Sequence, residues 1–129
     1  HWGVDYGAPV GTPVMATASG TVMFVGRRGG RGNTVELRHA GGYASAYLHL
    51  SRFAASVRVG TRVEQGQVIG FVGSTGLSTG AHLHYEIMVN GRFVDPMRIR
   101  LPRGLTCCMC TTRPAKRPWA TLTCRSPAN

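Results

Sequence analysis

Acidic residues are scarce in this sequence, which has five of them against 15 basic residues and a formal net charge of +10. All five acidic and ten basic residues lie in residues 1–102, and the other five basic residues lie in residues 103–129. Such a balance favours polyanionic partners such as nucleic acid, membrane surfaces or anionic cell-wall polymers. No RNP-like or helix-turn-helix signature accompanies the charge, so we expect no nucleic-acid partner.

Long apolar runs are also missing from the chain. None approaches the ~20 residues that cross a bilayer, so we expect no membrane span. The chain opens on His1 without the charged and apolar regions of a secretion signal, and we expect it to be a fragment or processed product. A chain of 129 residues is long enough for one domain with its own core, and we expect a monomer.

Cysteine is confined to the end of the chain, at Cys107, Cys108, Cys110 and Cys124. A cysteine-free core suits an oxidising compartment without requiring one. From residue 103 onward the composition changes to Thr, Pro, Arg and Cys without alternation, so we expect residues 103–129 to be a disordered basic tail. The four cysteines do not form the two Cys-x-x-Cys pairs of a zinc ribbon, so a disulfide ranks below disorder there and a metal site ranks last.

Sustained helical periodicity is missing as well, whereas glycine-bounded runs of β-branched residues recur, as in residues 20–25 and 67–72. Such runs predict short strands and tight turns, so we expect an all-β core with few short helices, the clearest at residues 51–55. The sequence Gly-Thr-Pro-Val at 11–14 recurs as Gly-Thr-Arg-Val at 60–63. Two related β units packed into a sandwich or flattened barrel would explain this repeat.

Four of the five histidines lie in three short stretches, and the third stretch carries both His82 and His84. Residues two apart project from the same face of a strand, so these imidazoles are predicted to lie side by side while Leu83, Tyr85 and Ile87 face the other way. Two imidazoles on one face can share a metal ion or divide the roles of ligand and catalyst.

A catalytic zinc site needs three protein ligands from His, Asp or Glu and an open position for water. His1, Asp5 and His84 would supply that set. Residues four apart in a straight strand lie roughly 13 Å apart, so the segment from His1 to Asp5 is expected to bend, with Gly3 providing the freedom. A structural zinc site would usually need four Cys or His ligands, and no cysteine lies in this part of the chain.

Five longer motifs run through the first hundred residues: His-Trp-Gly-Val-Asp-Tyr at 1–6, Tyr-Leu-His-Leu-Ser at 47–51, Val-Glu-Gln-Gly-Gln-Val-Ile-Gly at 63–70, Ser-Thr-Gly-Ala-His-Leu-His-Tyr-Glu at 78–86 and Val-Asp-Pro at 94–96. With them, residues 1–97 closely resemble the zinc metallopeptidase domain of the LytM and lysostaphin type, the M23 peptidases.

The resemblance implies a zinc ion bound by His1, Asp5 and His84, with His49 and His82 beside it as unligated catalytic residues. These two histidines would activate the water and stabilise the oxyanion, and which of them takes the proton is left open. The implied fold is a compact all-β sandwich or flattened barrel with an internal duplication, of the duplicated hybrid motif type.

The implied function is a zinc-dependent endopeptidase that hydrolyses peptide crosslinks of bacterial peptidoglycan, in the periplasm or outside the cell. The motif at 78–86 is more similar to Gram-negative enzymes that cut the D-alanyl to diaminopimelate crosslink than to glycyl-glycine cutters. The family normally has a strand and a loop before the first ligand. We therefore expect residues 1–102 to form a peptidase domain that is truncated at its N-terminus.

Other interpretations have less support. An M23-like domain of weak activity could act as a cell-wall binding or regulatory module, but such domains lose site residues and all five are present here. A biotinyl or lipoyl carrier needs a lysine in an exposed hairpin, and the single lysine, Lys116, lies in the tail. The fifth histidine, His39, precedes a predicted turn at residues 40–42 and is expected to be a hydrogen-bonded surface residue.

Overall fold

The computed structural model describes residues 3–95, in which short strands follow one another with only two brief 3-10 helices, Gly29–Arg31 and Ala40–Gly42. The strands are β1 (Gly3–Gly7), β2 (Pro13–Met15), β3 (Gly20–Arg27), β4 (Asn33–Arg38), β5 (Tyr43–Leu50), β6 (Arg52–Phe53), β7 (Arg62–Val63), β8 (Val68–Phe71), β9 (His82–Val89) and β10 (Arg92–Val94). The predicted all-β class is confirmed. His1 and the whole of the predicted tail lie outside the described residues.

The strands form two antiparallel sheets. The larger sheet has the order β1-β9-β5-β4-β3-β7, with β10 also paired to β9, and the smaller sheet has the order β2-β8-β6. Strand β9 therefore lies between β1 and β5, which brings residues 3–6 of the first motif beside the motif at 78–86. Within residues 3–95 there is no helix with the length and apolar character needed to span a bilayer.

The core is built from the inward faces of these strands, as alternation predicts. On β9, Leu83, Tyr85 and Ile87 are buried, whereas the residues between them face the opposite side of the sheet. The largest fully buried side chains come from both sheets and are Tyr6, Tyr47, Tyr85, Leu37, Leu50, Ile69, Leu83, Val14, Val22, Val35 and Val63. The rings of Tyr47 and Tyr85 pack with their centroids 5.3 Å apart and so connect β5 and β9 on the buried face of the sheet.

The repeated sequences at 11–14 and 60–63 occupy related places in the fold. The first leads into β2 and β3, and the second leads into β7 and β8. Strand β2 pairs with β8, and β7 pairs with β3. The short first strand of each unit therefore pairs with the longer second strand of the other unit, so the two units exchange strands instead of packing as separate hairpins.

The predicted helix at residues 51–55 is wrong. Residues Arg52–Phe53 form β6, which pairs with β8, and the amide of Ala54 donates to the carbonyl of Ile69 at 3.1 Å. An isolated helical turn fixes several dihedrals for a single hydrogen bond, so its formation is unfavourable. Pairing with β8 gives the same backbone groups hydrogen-bond partners and is therefore favoured. The guanidinium of Arg52 also stacks over the Phe71 ring at 3.7 Å.

The prediction that His39 is a surface residue is also wrong. Its turn at Ala40–Gly42 is present, but the histidine is only 8% exposed. Its Nδ1 lies 2.8 Å from the carbonyl oxygen of Ser19, and its Nε2 lies 2.8 Å from the hydroxyl of Ser45. These partners satisfy the polar groups of the ring, which makes burial tolerable. Burial lowers the pKa of His39, and the Ser19 carbonyl opposes that shift.

Candidate active site

Asp5 and His84 face each other across the pairing of β1 with β9 and are direct partners in the register. Oδ1 of Asp5 lies 2.7 Å from Nδ1 of His84. The His84 side chain is 13% exposed and that of Asp5 is 64% exposed, so the pair opens to solvent on the carboxylate side. Two predicted ligands thus share one edge of the sheet with room beside them.

Gly3 has a different role from the one predicted. It lies in strand β1, which runs without interruption from Gly3 through Asp5, so Gly3 is not a hinge. A Cβ atom at this position would lie 2.4 Å from Nε2 of His84 and 2.6 Å from the backbone oxygen of Tyr85. The glycine is required because the imidazole of His84 lies directly against the backbone of β1.

His82 lies on the same face of β9 as His84. Its Nδ1 is 2.8 Å from the carbonyl oxygen of Gly80 and 3.3 Å from the hydroxyl of Ser78. A carbonyl can only accept, so Nδ1 carries the proton and Nε2 of the neutral ring has a free electron pair. Nε2 lies 3.6 Å from Oδ1 of Asp5, so this nitrogen is on the side of the ring that faces Asp5.

His49 reaches the same face through a distortion of β5. Strict alternation would turn it inward with Tyr47, but the register between β4 and β5 shifts between the Asn33 and Val35 pairings. His49 has a φ of 62°, which is uncommon for a residue other than glycine. A bulge of this kind re-aims a side chain. The His49 ring consequently lies with its centroid 5.0 Å from that of His82.

The hydrogen bonding of His49 defines its proton position. Its Nδ1 donates to the carbonyl oxygen of Thr75 at 2.7 Å, which leaves Nε2 as the acceptor of the neutral ring. Burial lowers the pKa of His49, the Thr75 carbonyl opposes that shift, and the neighbouring His82 and His84 lower it further. His49 is therefore held neutral near pH 7, the state that a general base requires.

Glu86 and Arg31 extend the site behind His84. Nε2 of His84 lies 3.0 Å from Oε2 of Glu86, and Nη2 of Arg31 donates to Oε1 of the same carboxylate at 2.7 Å. The hydrogen bond to Glu86 raises the pKa of His84 against the effect of burial, and Asp5 adds to the rise. Burial alone would raise the pKa of Glu86, but its bonds to His84 and Arg31 outweigh it and the pKa is lowered.

Sequence reasoning assigned no role to either of these two residues. Alternation along β9 could have found Glu86, since it lies two positions after His84 and therefore on the same face. Arg31 has no comparable signal, because it reaches the site from the 3-10 helix between β3 and β4. Only the folded arrangement brings its guanidinium to the glutamate.

The chemistry of this cluster fits a divalent cation. His84 lies between two carboxylates, so in the free protein each ring nitrogen faces an acceptor and the ring is favoured as imidazolium. A cation between Asp5 and Nδ1 of His84 would take the place of that proton, while Nε2 still donates to Glu86. No group of three His, Cys, Asp or Glu side chains in residues 3–95 is arranged to hold a metal ion. The predicted third ligand, His1, lies outside that range.

Similarity to known proteins is extensive. The sequence profile of Peptidase family M23 matches residues 1–96. The DD-carboxypeptidase/endopeptidase Mpg of Neisseria meningitidis is 54% identical over 102 residues, which make up 79% of this chain and 23% of that protein. The peptidoglycan DD-endopeptidase ShyC of Vibrio cholerae is 48% identical over 104 residues, 81% of this chain and 24% of that protein. The chain therefore spans about a quarter of the length of these relatives.

Solved structures share the fold as well. The catalytic domain of lysostaphin from Staphylococcus simulans superimposes with a TM-score of 0.70 at 43% identity, covering 75% of this chain and 76% of that one. A zinc-containing peptidase from Vibrio cholerae gives a TM-score of 0.74 at 40% identity, covering 79% of this chain and 31% of that one. The likeness extends to sequence as well as to fold.

Proposed function

Because the chain belongs to Peptidase family M23, we propose that it is a zinc-dependent endopeptidase that hydrolyses peptide crosslinks of bacterial peptidoglycan. The observation that carries the proposal is the cluster on the outer face of β9. Asp5 contacts His84 at 2.7 Å, and the rings of His49 and His82 lie beside the pair. A carboxylate, a braced imidazole and two further imidazoles are the groups that a mononuclear zinc peptidase needs.

The proposed metal ligands are His1, Asp5 and His84. Bound zinc would polarise the scissile carbonyl and acidify a water molecule. Glu86 supports this assignment because it accepts the Nε2 proton of His84, and a carboxylate behind a histidine ligand fixes its tautomer and orients its ring. His1 enters the set through the sequence motif alone.

The proposed catalytic residues are His49 and His82. Each has its Nδ1 bound to a backbone carbonyl, so each offers Nε2 as a proton acceptor. One would take a proton from the attacking water and the other would stabilise the developing oxyanion. The lowered pKa of His49, caused first by its burial, suits it to the role of base. His82 lies nearer the solvent-open carboxylate of Asp5, which suits it to the substrate side.

The proposed substrate is the D-alanyl to diaminopimelate crosslink. One relative is named as a DD-carboxypeptidase/endopeptidase and another as a peptidoglycan DD-endopeptidase. The excess of basic residues complements an anionic cell-wall polymer. A peptidoglycan substrate would put the protein in the periplasm or outside the cell. We further propose that residues 1–102 are the peptidase domain and that the chain acts as a monomer.

Zinc content tests the ligand set directly. The experiment uses the full chain with its four cysteines replaced by serine, so that no zinc is held by thiolates. His84→Ala should lose the bound zinc measured by elemental analysis and the release of crosslink fragments from purified sacculi. His39→Gln, at the histidine outside the site, should retain both. Zinc retained in His84→Ala would refute the assignment, and a zinc-loaded parent chain that binds sacculi without cutting them would favour a binding module.

A further inference from the structure

We propose that Arg31 is a positioning residue for the metal ligand His84, acting through Glu86. The inference rests on the proposed zinc site and adds a residue that no motif in the sequence marks. It begins with a continuous line of contacts. Arg31 donates to one oxygen of Glu86 at 2.7 Å, and the other oxygen of Glu86 lies 3.0 Å from Nε2 of His84.

Both oxygens of the Glu86 carboxylate are therefore engaged, each from a different side. The Glu86 side chain is only 8% exposed, so water cannot readily replace a missing partner. A buried carboxylate with one partner removed can rotate or reorganise to recover a hydrogen bond. With Arg31 in place the carboxylate plane is held, and with it the direction of the bond to His84.

The ring of His84 is held in turn by its two ends. Nδ1 faces Asp5 and Nε2 faces Glu86, so turning the ring would break both contacts. The direction of the Nδ1 electron pair, which a metal needs, depends on the Glu86 contact. Outer partners of this kind orient the ligand and raise its basicity. Arg31 stabilises this arrangement because it holds the Glu86 carboxylate that contacts His84.

The backbone that carries Arg31 is itself anchored to the loop on the other side of the site. The amide of Leu77 donates to the carbonyl of Gly30 at 2.7 Å, and the amide of Asn33 donates to the Thr75 hydroxyl at 3.0 Å. Thr75 also accepts the Nδ1 proton of His49 through its carbonyl. The segment around Arg31 consequently supports His84 through Glu86 and adjoins the residue that supports His49.

A purely electrostatic role for Arg31 and a positioning role predict opposite changes in zinc affinity when Arg31 is removed. If Arg31 acted only through its charge, its removal would relieve repulsion and tighten the binding of a dication. If Arg31 holds Glu86 in place, its removal weakens zinc binding even though a positive charge is lost. The sign of the change in affinity therefore distinguishes the two roles.

The chain contains a matched control. Arg28 pairs with Glu36 at 3.4 Å, and the Glu36 side chain is 12% exposed, so this too is an arginine next to a largely buried glutamate. Arg28 lies in the connection between β3 and β4, as Arg31 does, and Glu36 lies on β4. Within residues 3–95, Glu36 makes no hydrogen bond or ion pair with a histidine of the site. Arg28→Ala therefore reproduces the loss of a buried pair without the proposed link to the metal.

The experiment measures zinc affinity by chelator competition in the full chain with its cysteines replaced by serine. Loss of an outer partner costs 10- to 100-fold in metal affinity, so Arg31→Ala, one link further out, should weaken binding by about 3- to 10-fold. Arg31→Lys should recover part of the loss, because it keeps a charged donor but not the planar geometry. Arg28→Ala should leave zinc affinity unchanged.

A double-mutant cycle and a metal-free readout complete the test. Once Glu86→Gln has been introduced, Arg31→Ala should have little further effect on zinc affinity. In the metal-free chain, the slowly exchanging Nε2 proton of His84 should be visible by NMR in Arg28→Ala and lost in Arg31→Ala. Equal or tighter zinc binding by Arg31→Ala, or additive effects in the cycle, would overturn the inference alone. A parent chain that binds no zinc would overturn the proposed function and this inference together.

Discussion

Replacing Gly3 by alanine tests how closely β1 must approach β9. The added methyl group would lie 2.4 Å from Nε2 and 2.7 Å from Cε1 of His84, and 2.6 Å from the backbone oxygen of Tyr85. Carbon atoms pack best at about 3.5–4.0 Å, so the overlap is about 1 Å. The Tyr85 oxygen belongs to β9, which is held by pairing with β1, β5 and β10, so we expect the His84 ring and the edge strand β1 to move instead.

A ring displaced by about 1 Å cannot keep both of its short contacts, because hydrogen bonds weaken steeply beyond ~3.2 Å. The contacts at risk are those of His84 with Asp5 at 2.7 Å and with Glu86 at 3.0 Å. Loss of the outer contact weakens metal binding by about 10- to 100-fold. A misplacement of this size also costs about 100-fold in catalytic rate. Overpacking should destabilise the fold by about 1–3 kcal/mol.

Gly7→Ala is the matched control, since Gly7 lies on the same strand opposite His82 and an added Cβ meets nothing within 4 Å. Both variants are compared by zinc affinity, by fragment release from sacculi and by thermal unfolding of the metal-free chain. Gly3→Ala should be impaired in all three and Gly7→Ala in none. Equal zinc affinity in the two variants would refute the argument that the His84 ring requires the space above Gly3.

Three further predictions concern histidines. His49→Ala and His82→Ala should each keep the zinc and lose about 10²- to 10⁴-fold in turnover, and zinc loss from either variant would reassign that residue as a ligand. His49→Gly should have a free energy of unfolding about 1 kcal/mol higher than that of His49→Ala, because glycine accepts the φ of 62° without strain; equal stability would show that the bulge relaxes. The pKa of His39 is lowered below 6.5 by burial, so the unfolded chain binds more protons and stability falls as pH drops through 6.5. Urea unfolding from pH 7.5 to 5 should show a shallower fall for His39→Gln, and an unchanged slope would contradict this origin.

Regular features of the fold were predictable from local pattern. The sequence around His82 and His84 predicts a strand with two imidazoles on one face, and β9 has that form. The repeat at 11–14 and 60–63 predicts two related units. In the fold, β2 of the first unit pairs with β8 of the second, and β7 of the second unit pairs with β3 of the first. The strand alternation and the repeated motif can both be recognised in short segments of sequence, whereas the exchange of strands between the two units cannot.

Features that depend on contacts between distant segments were not predictable in this way. The bulge at His49 arises from the register of β5 against β4, which no local pattern encodes. The burial of His39 depends on Ser19 and Ser45, which are brought to it by other strands. Gly3 was interpreted as a hinge because the ring of His84, which occupies the space above it, comes from the far end of the domain. The domain boundary at residue 102 and the roles of all five site residues stay predictions, namely the ligands His1, Asp5 and His84 and the catalytic residues His49 and His82.

The exchanged strands and the late position of β9 make assembly of the site a single event. Asp5 and His84 are 79 positions apart, and β1 pairs only with β9 among the strands described. Closing so long a loop is entropically unfavourable, and the cost is smaller once the strands between β1 and β9 have already paired. A chain still emerging from synthesis therefore holds Asp5 and His84, the two proposed ligands, apart until residues 82–89 are available. A truncation that removes β9 also removes His82 and His84, so the shortened protein keeps Asp5 without its partner across the strand pairing.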